Sequence, residues 1–320
     1  QPHVAHRACT TAMQRRLAIP LRSAEWDCIV FDGIYPGWAL ESCLAYRRRS
    51  GSRPQLVYIS HNHEASMRAD LAAGYRGGAV KQVLLRRDAG KAAQLERRLV
   101  AAADLVTAIT PDDAALFQAE FPGKEILVLP PGYNGRRLSI RRIGAEVPRR
   151  AVIVGSFAWA AKQANLRDFL AVADPLFAAA GAELQIVGSG GPRFFDGLRP
   201  TVAATRFVGP VEAVAPHLDD ARIAIVAEQI GGGFKLKILD YVFNRLPIAA
   251  LSGSVAGAPL RDNDSILKFE SFDALARGAL AVIDDFPLLN RLHEQAYSAC
   301  ALEFEWNERG QRLAGAIGRA

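Results

Sequence analysis

The stretch GGGFKLKILD, residues 231–240, sets three glycines and two lysines ahead of a segment with helical spacing. Such an entry suits anion binding. Backbone N–H groups of Gly231, Gly232 and Gly233 can approach a ligand closely because no Cβ intervenes, and the dipole of the helix that follows favours negative charge. Lys237 and Asp240 are three residues apart, so a helix places both on one face. An exposed ion pair between them is one plain alternative, and a loop that merely precedes a helix is another. A second cluster, YISHNHEAS at 58–66, puts His61, Asn62, His63 and Glu64 just past an apolar run. Helix capping by Asn62 and a solvated His63–Glu64 pair are its structural alternatives. His61 and His63 would suit a metal, but no third ligand stands at a suitable spacing, so no metal is expected.

These residues sit in a regular succession of elements. Continuously apolar runs at 27–32, 55–60, 105–110 and 125–130 read as strands, followed by others at 150–156, 183–189, 205–210, 221–227 and 246–251. Continuous rather than alternating apolarity is the mark of parallel strands covered on both faces. Helical patterns lie between them, as at 91–103 and 164–180. The fold class expected is therefore α/β, doubly wound, in two halves. Residues 131–150, rich in Pro, Gly and Arg, read as a surface linker between the halves. Ligands of such sheets bind at the carboxyl ends of the strands, and two halves joined at this linker would face each other across a cleft.

The 320 residues suit two domains of roughly 150 residues each. Half the chain is apolar and 22% is charged, enough for ordinary cores. No apolar run approaches the ~20 residues of a membrane span, and the start QPHVAHRACT has no signal-peptide pattern. The four cysteines form no CxxC pair, which suits reduced structural thiols in a cytosolic protein. Residues 1–150 hold 23 Lys and Arg against 14 Asp and Glu, a net +9, while the remainder holds 16 against 19, a net −3. A basic half could meet anionic lipid, an acidic substrate or nucleic acid. Nucleic acid is the weakest of these, because no zinc-ligand spacing or aromatic RNA-binding signature accompanies the charge.

The ordered set VTAITPDDAALFQAEFP, ILVLPPGY, VIVGSFAWAAKQANLRDFL, LQIVGSG, FVGPV and GGGFKLKILDYVFNRLPIA resembles the group 1, retaining, GT-B glycosyltransferases over about 105–251. The resemblance implies two Rossmann-like domains: an acceptor-side domain at 1–134, a nucleotide-sugar donor domain at 135–300, and a C-terminal helix at 301–320 packing back on the first. It implies that Gly155, Lys162, Gly231, Gly232, Gly233, Phe234 and Lys237 hold the donor diphosphate. Lys162 and Lys237 would compensate the leaving group as point charges where other enzymes use a metal. Asp240 stands where the family carries the second glutamate of its Glu–seven residues–Glu motif, which accepts the ribose hydroxyls. Val208, Gly209 and Val211 would line the base pocket, and His61, Asn62 and Glu228 the sugar side, with His61 near the reacting centre.

The chain departs from that pattern in three ways. The second glutamate is aspartate, the first is replaced by Gly232, and nothing before Cys28 supplies the family's opening strand and glycine loop. The last point reads as an N-terminal truncation or a reduced variant, with little transfer activity expected of this chain alone. The implied activity is sugar transfer from a nucleotide-diphosphate donor to a glycan or lipid-linked acceptor with retention, needing no cofactor. The expected setting is cytoplasmic, at the periphery of an anionic membrane surface. A donor-binding protein that does not transfer, or a GT-B epimerase or hydrolase, is the alternative. Asp262 and Asp264 match a metal-binding motif of the other large glycosyltransferase fold, but their polar loop makes a chance match the better explanation. GSGGP at 188–192 lacks the full dinucleotide fingerprint, which disfavours a nicotinamide oxidoreductase.

Overall fold

The computed structural model describes residues 1–75, 77–229 and 233–318. The chain divides into two compact units: Gln1–Pro131 with Gly232–Phe234 and Trp306–Ala320, and Gly132–Gly231 with Lys235–Glu305.

The first unit opens with three short helices, α1 (His3–Ala8), α2 (Thr11–Ala18) and α3 (Pro20–Ser23). Four parallel strands follow, β1 (Cys28–Asp32), β2 (Gln55–Ile59), β3 (Leu105–Ala108) and β4 (Glu125–Val128), ordered β1-β2-β3-β4. Their connections are α4 (Leu40–Arg49), the pair α5 (Glu64–Ala73) and α6 (Ala79–Ala102), and α7 (Pro111–Glu120). β3 is buried at every position, as its mostly apolar sequence favours. One side of the sheet packs Leu56, Tyr58 and Val106 against Leu95, Leu99 and Phe117. On the other, Val57 and Leu105 meet Ala316 of the last helix, α14 (Trp306–Ile317).

The second unit carries β5 (Arg150–Val154), β6 (Glu183–Val187), β7 (Thr205–Gly209), β8 (Ile223–Val226), β9 (Ile248–Leu251) and β10 (Leu267–Phe269). All are parallel, in the order β10-β9-β8-β5-β6-β7. Its helices are α8 (Ala160–Ala179), α9 (Pro192–Leu198), α10 (Ala215–Asp219), α11 (Lys237–Phe243), α12 (Phe272–Val282) and α13 (Phe286–Cys300). The nine strands read from the sequence are all present. Only β10 was unforeseen, because its three residues include Lys268 and make too short a run to register. From β5 the chain winds outward through β6 and β7, then returns to β5's other flank for β8. That reversal makes a switch point where the loops after β5 and β8 part, the preferred ligand position of a doubly wound sheet.

The expected surface linker is corrected. Residues 132–149 are fastened to the second unit through their arginines. Arg136 pairs with Asp219, Arg149 with Asp284, and Arg137 donates to the Ala301 and Phe304 carbonyls. Arg141 donates to the carbonyls of Leu218, Asp219 and Ala221 at 3.0, 3.0 and 2.7 Å. A guanidinium offers five donors, which suits the orphan carbonyls at the end of α10. Burial lowers the pKa of Arg141 to about 10. The charge asymmetry is accordingly redrawn. The first unit holds 20 Lys and Arg against 14 Asp and Glu, a net +6, and the second holds 19 of each, so the whole net charge falls on the first.

Candidate functional site

At the switch point, β8 runs out into Glu228, and Lys162 stands in the first turn of α8 after β5. A small pocket there is lined by Phe157, Lys162, Asn165, Ala227, Glu228 and Lys237. The Lys237 ammonium is bonded to Glu228 Oε1, and Lys235 Nζ lies 4.0 Å from Oε2. All three side chains are largely buried, at 13% exposure for Lys237 and Glu228 and 8% for Lys235. Burial alone would raise the Glu228 pKa, but Lys237, Lys235 and Lys162 together outweigh it and hold the carboxyl below its ordinary value. Burial lowers the pKa of Lys235 and Lys237, with Glu228 opposing the fall. Three ammonium groups thus act on one carboxylate. The frame is tied together locally. Val154 N–H donates to Tyr241 Oη at 2.9 Å, locking α11 to the end of β5, and Gln229 N–H donates to Asn165 Oδ1 at 3.2 Å.

Several expected roles change. The helix begins at Lys237 rather than against the glycines, and its first amides are spent locally, Ile238 N–H on the Lys235 carbonyl and Leu239 N–H on Leu236. Lysine ammonium groups stand at this helix start. Gly231 and Gly232 lie outside the described residues. Gly233 has φ +77°, a conformation that favours glycine. Lys237 makes no pair with Asp240, because a buried Glu228 competes against an exposed i, i+3 pair worth only ~0.2–0.5 kcal/mol. Glu228, expected beside the sugar, is the counter-ion of the lysines. Asp240 Oδ1 instead accepts from Tyr133 Oη at 3.0 Å. Gly155 is expected to face the phosphates but spends its N–H on the Val187 carbonyl. A Cβ at Gly188, where φ is +127°, would fall 1.9 Å from the Gly155 oxygen, which explains the glycine there. Phe234 is half-buried beside Lys235, and Val208, Gly209 and Val211 lie at the carboxyl end of β7, the edge strand. That end is two strand spacings, about 10 Å, from the end of β5, so the expected base and phosphate residues share one edge of one sheet.

In the first unit, His61 Nε2 lies 2.7 Å from Asp32 Oδ1, both at the carboxyl ends of their strands and both exposed. Asn62 is half-buried, and the capping expected of it belongs to His63, whose Nδ1 accepts from Ser66 N–H. Burial lowers the His63 pKa. The expected His63–Glu64 pair is absent among the described residues, since Glu64 is buried and bonded to Arg68. Glu96 of α6 accepts the Glu64 and Ala65 N–H groups, each at 2.9 Å, and so caps α5 from the helix that follows it. Burial pushes its pKa up to about 7. Asp262 holds a turn, accepting from the Asn263 and Lys268 amides. No cluster of three or more potential metal ligands occurs among the described residues.

Sequence reasoning missed Asp32, Lys235, Glu96 and Tyr133. Lys235 stood in the quoted stretch two residues from Lys237, and Asp32 ended a predicted strand. Glu96 and Tyr133 act on partners 31–32 and 107 residues away, and no local pattern announces such pairings.

Two α/β units, each on an all-parallel sheet, have the architecture of the GT-B fold, which the similar solved structures share. Residues 148–285 match the model of the family Glycosyl transferases group 1. Among solved structures, sucrose-phosphate synthase of Thermosynechococcus elongatus is similar at TM-score 0.71 and 15% identity, covering 96% of this chain and 77% of that one. HepE of Anabaena, in complex with UDP and glucose, aligns at 0.66 and 16%, covering 97% and 84%. TarM of S. aureus aligns at 0.65 and 10%, covering 90% of this chain, which spans about half (54%) of TarM. No protein of curated function matches the sequence.

Proposed function

We propose that the protein transfers a sugar from a nucleotide-diphosphate donor to a glycan or lipid-linked acceptor, with retention and without a metal. The observation that carries this reading is the buried Glu228 shared by Lys162, Lys235 and Lys237 at the switch point of the second sheet. The positive charge gathered there suits a leaving diphosphate, whose negative charge grows as the glycosidic bond breaks. Asp240 accepts the ribose hydroxyls and the end of β7 takes the base. Glu228 is a poor covalent nucleophile, because its charge is held by two ammonium groups. A front-face displacement assisted by the leaving phosphate is therefore the reading for retention. His61, oriented by Asp32, is assigned to the sugar side by the family resemblance. Calorimetric titration with UDP and GDP, with and without chelator, tests the donor site, with binding expected to be unchanged by the chelator. Strict dependence on Mg²⁺ or Mn²⁺ would overturn the metal-free reading, and mass spectrometry of products separates transfer from hydrolysis, epimerisation or binding alone.

The proposed setting is the cytoplasmic face of an anionic membrane. No helix among the described residues is long and apolar enough to cross one. The first turns of α6 instead expose Val80, Val83 and Leu84 on one helical stripe, at 78%, 47% and 57%. Lys81, Arg86 and Arg87 flank the stripe without an acidic partner among the described residues. An apolar stripe rimmed by cations suits the headgroup region of an anionic bilayer, each cation adding about 1 kcal/mol at the surface. Sedimentation with anionic vesicles is expected at low salt, to fall at high salt, and to be absent with neutral vesicles or with the Lys81→Glu, Arg86→Glu, Arg87→Glu variant. Undiminished binding by that variant contradicts the assignment.

A further inference from the structure

Asp240 is one methylene shorter than the glutamate expected at a ribose-binding position, and its carboxylate is not free to wander. Tyr133 lies along the same face of α11. Its ring stacks on Phe243, one turn beyond Asp240, with centroids 4.7 Å apart and planes inclined by 22°. The Arg137 guanidinium sits 3.8 Å from the Phe243 centroid, closing the stack on a further side. The backbone is pinned as well, Tyr133 N–H donating to the Phe304 carbonyl at 2.9 Å. From this fixed ring the hydroxyl has two acceptors in reach, Asp240 Oδ1 at 3.0 Å and the Arg136 carbonyl at 3.3 Å. It has one proton, and the nearer, charged acceptor makes the stronger bond.

We infer that Tyr133 is a positioning residue for nucleotide recognition, its hydroxyl fixing Asp240 Oδ1 so that the other carboxylate oxygen is presented to the ribose. The inference rests on the reading of the second unit as a nucleoside-diphosphate site. It accounts for the aspartate, since a short carboxylate held by a rigid phenol occupies one orientation where a longer, unheld side chain would sample several. Burial raises the Asp240 pKa and the Tyr133 bond opposes that rise, which preserves the ionised, accepting form. The relation is specific to the hydroxyl, because the stacking requires only the ring.

The test compares UDP with 2′,3′-dideoxy-UDP by calorimetry, for the wild type, Tyr133→Phe, Asp240→Ala and the double variant. The wild type is expected to prefer UDP by about tenfold, and Tyr133→Phe to lose roughly 3–10-fold for UDP, the scale of one hydrogen bond, but less than about twofold for the dideoxy analogue. In the Asp240→Ala background, Tyr133→Phe is expected to add nothing, the mark of two residues acting as one unit. Equal losses on both ligands would reduce Tyr133 to a packing residue and overturn the inference, as would an unchanged UDP affinity in a Tyr133→Phe protein that melts like the wild type. A wild type that binds UDP without ribose preference would overturn the inference while leaving the diphosphate site standing. Failure to bind UDP at all would overturn the site itself.

Discussion

Lys237→Met is expected to weaken UDP binding by roughly 10–100-fold, the worth of a charge-assisted hydrogen bond in a desolvated site. Uridine affinity should hardly change. Methionine keeps most of the side chain's length and apolar contacts while removing the ammonium group, so the packing around Phe157 and Ala227 is retained. The loss is specific to the diphosphate because Lys237 is the lysine bonded directly to Glu228, with Lys235 farther off at 4.0 Å. Without Lys237, Lys235 is left as the near partner of the carboxylate, and the positive charge facing an anion drops by one. Parallel titrations with UDP and uridine decide the matter. Equal losses for the two ligands would mean that Lys237 supports the fold of the site rather than the phosphates.

The strands were legible in the sequence for a physical reason. Parallel strands covered by helices on both faces are mostly apolar, so runs such as AVIVG and IAIVA announce themselves without knowledge of partners. The order of the strands around β5, and with it the switch point, was not legible, because the same βαβ rhythm gives β1-β2-β3-β4 in the first unit and a reversal at β5 in the second. Within the site, Lys162, Lys237 and Asp240 could be named because each lies in or beside the motif. Their partners could not. Lys237 had two carboxylates in range, Asp240 at three residues and Glu228 at nine, and helical spacing favours the nearer. Burial reverses the choice, since the desolvated carboxylate at the end of β8 needs compensation that a solvated one does not. The arginines of 136–149 misled in the same manner. Their charge reads as solubility along the chain, yet in space it caps the carbonyls at the end of α10 and meets Asp219 and Asp284.

Glu228→Gln is expected to cost the second unit about 3 kcal/mol, lowering its melting temperature by roughly 6–12 °C. Lys235 and Lys237 are only 8% and 13% exposed, and Lys162 adds its field to theirs. Neutralising the shared carboxylate removes the negative charge these buried cations face at Glu228, and breaking a buried pair costs more than the pair contributes. The sign of the pH dependence follows from the lysines. Their folded pKa values are already lowered by burial, and removing Glu228 lowers them further. A base depressed in the folded state weakens stability as pH falls below its unfolded value, so the deficit of Glu228→Gln should be largest near neutrality and shrink as pH rises toward 10. A ligand that brings negative charge should repair the same defect. Pyrophosphate or UDP, bound where the carboxylate charge was lost, stabilises by linkage, and the rise in melting temperature should be larger in Glu228→Gln than in the wild type. Thermal melts at pH 7.5 and 9.5, with and without pyrophosphate, measure both effects. A variant that melts with the wild type and gains no more from pyrophosphate would show that the three lysines need no carboxylate at Glu228, and the argument for an anion site built on their charge would fail with it.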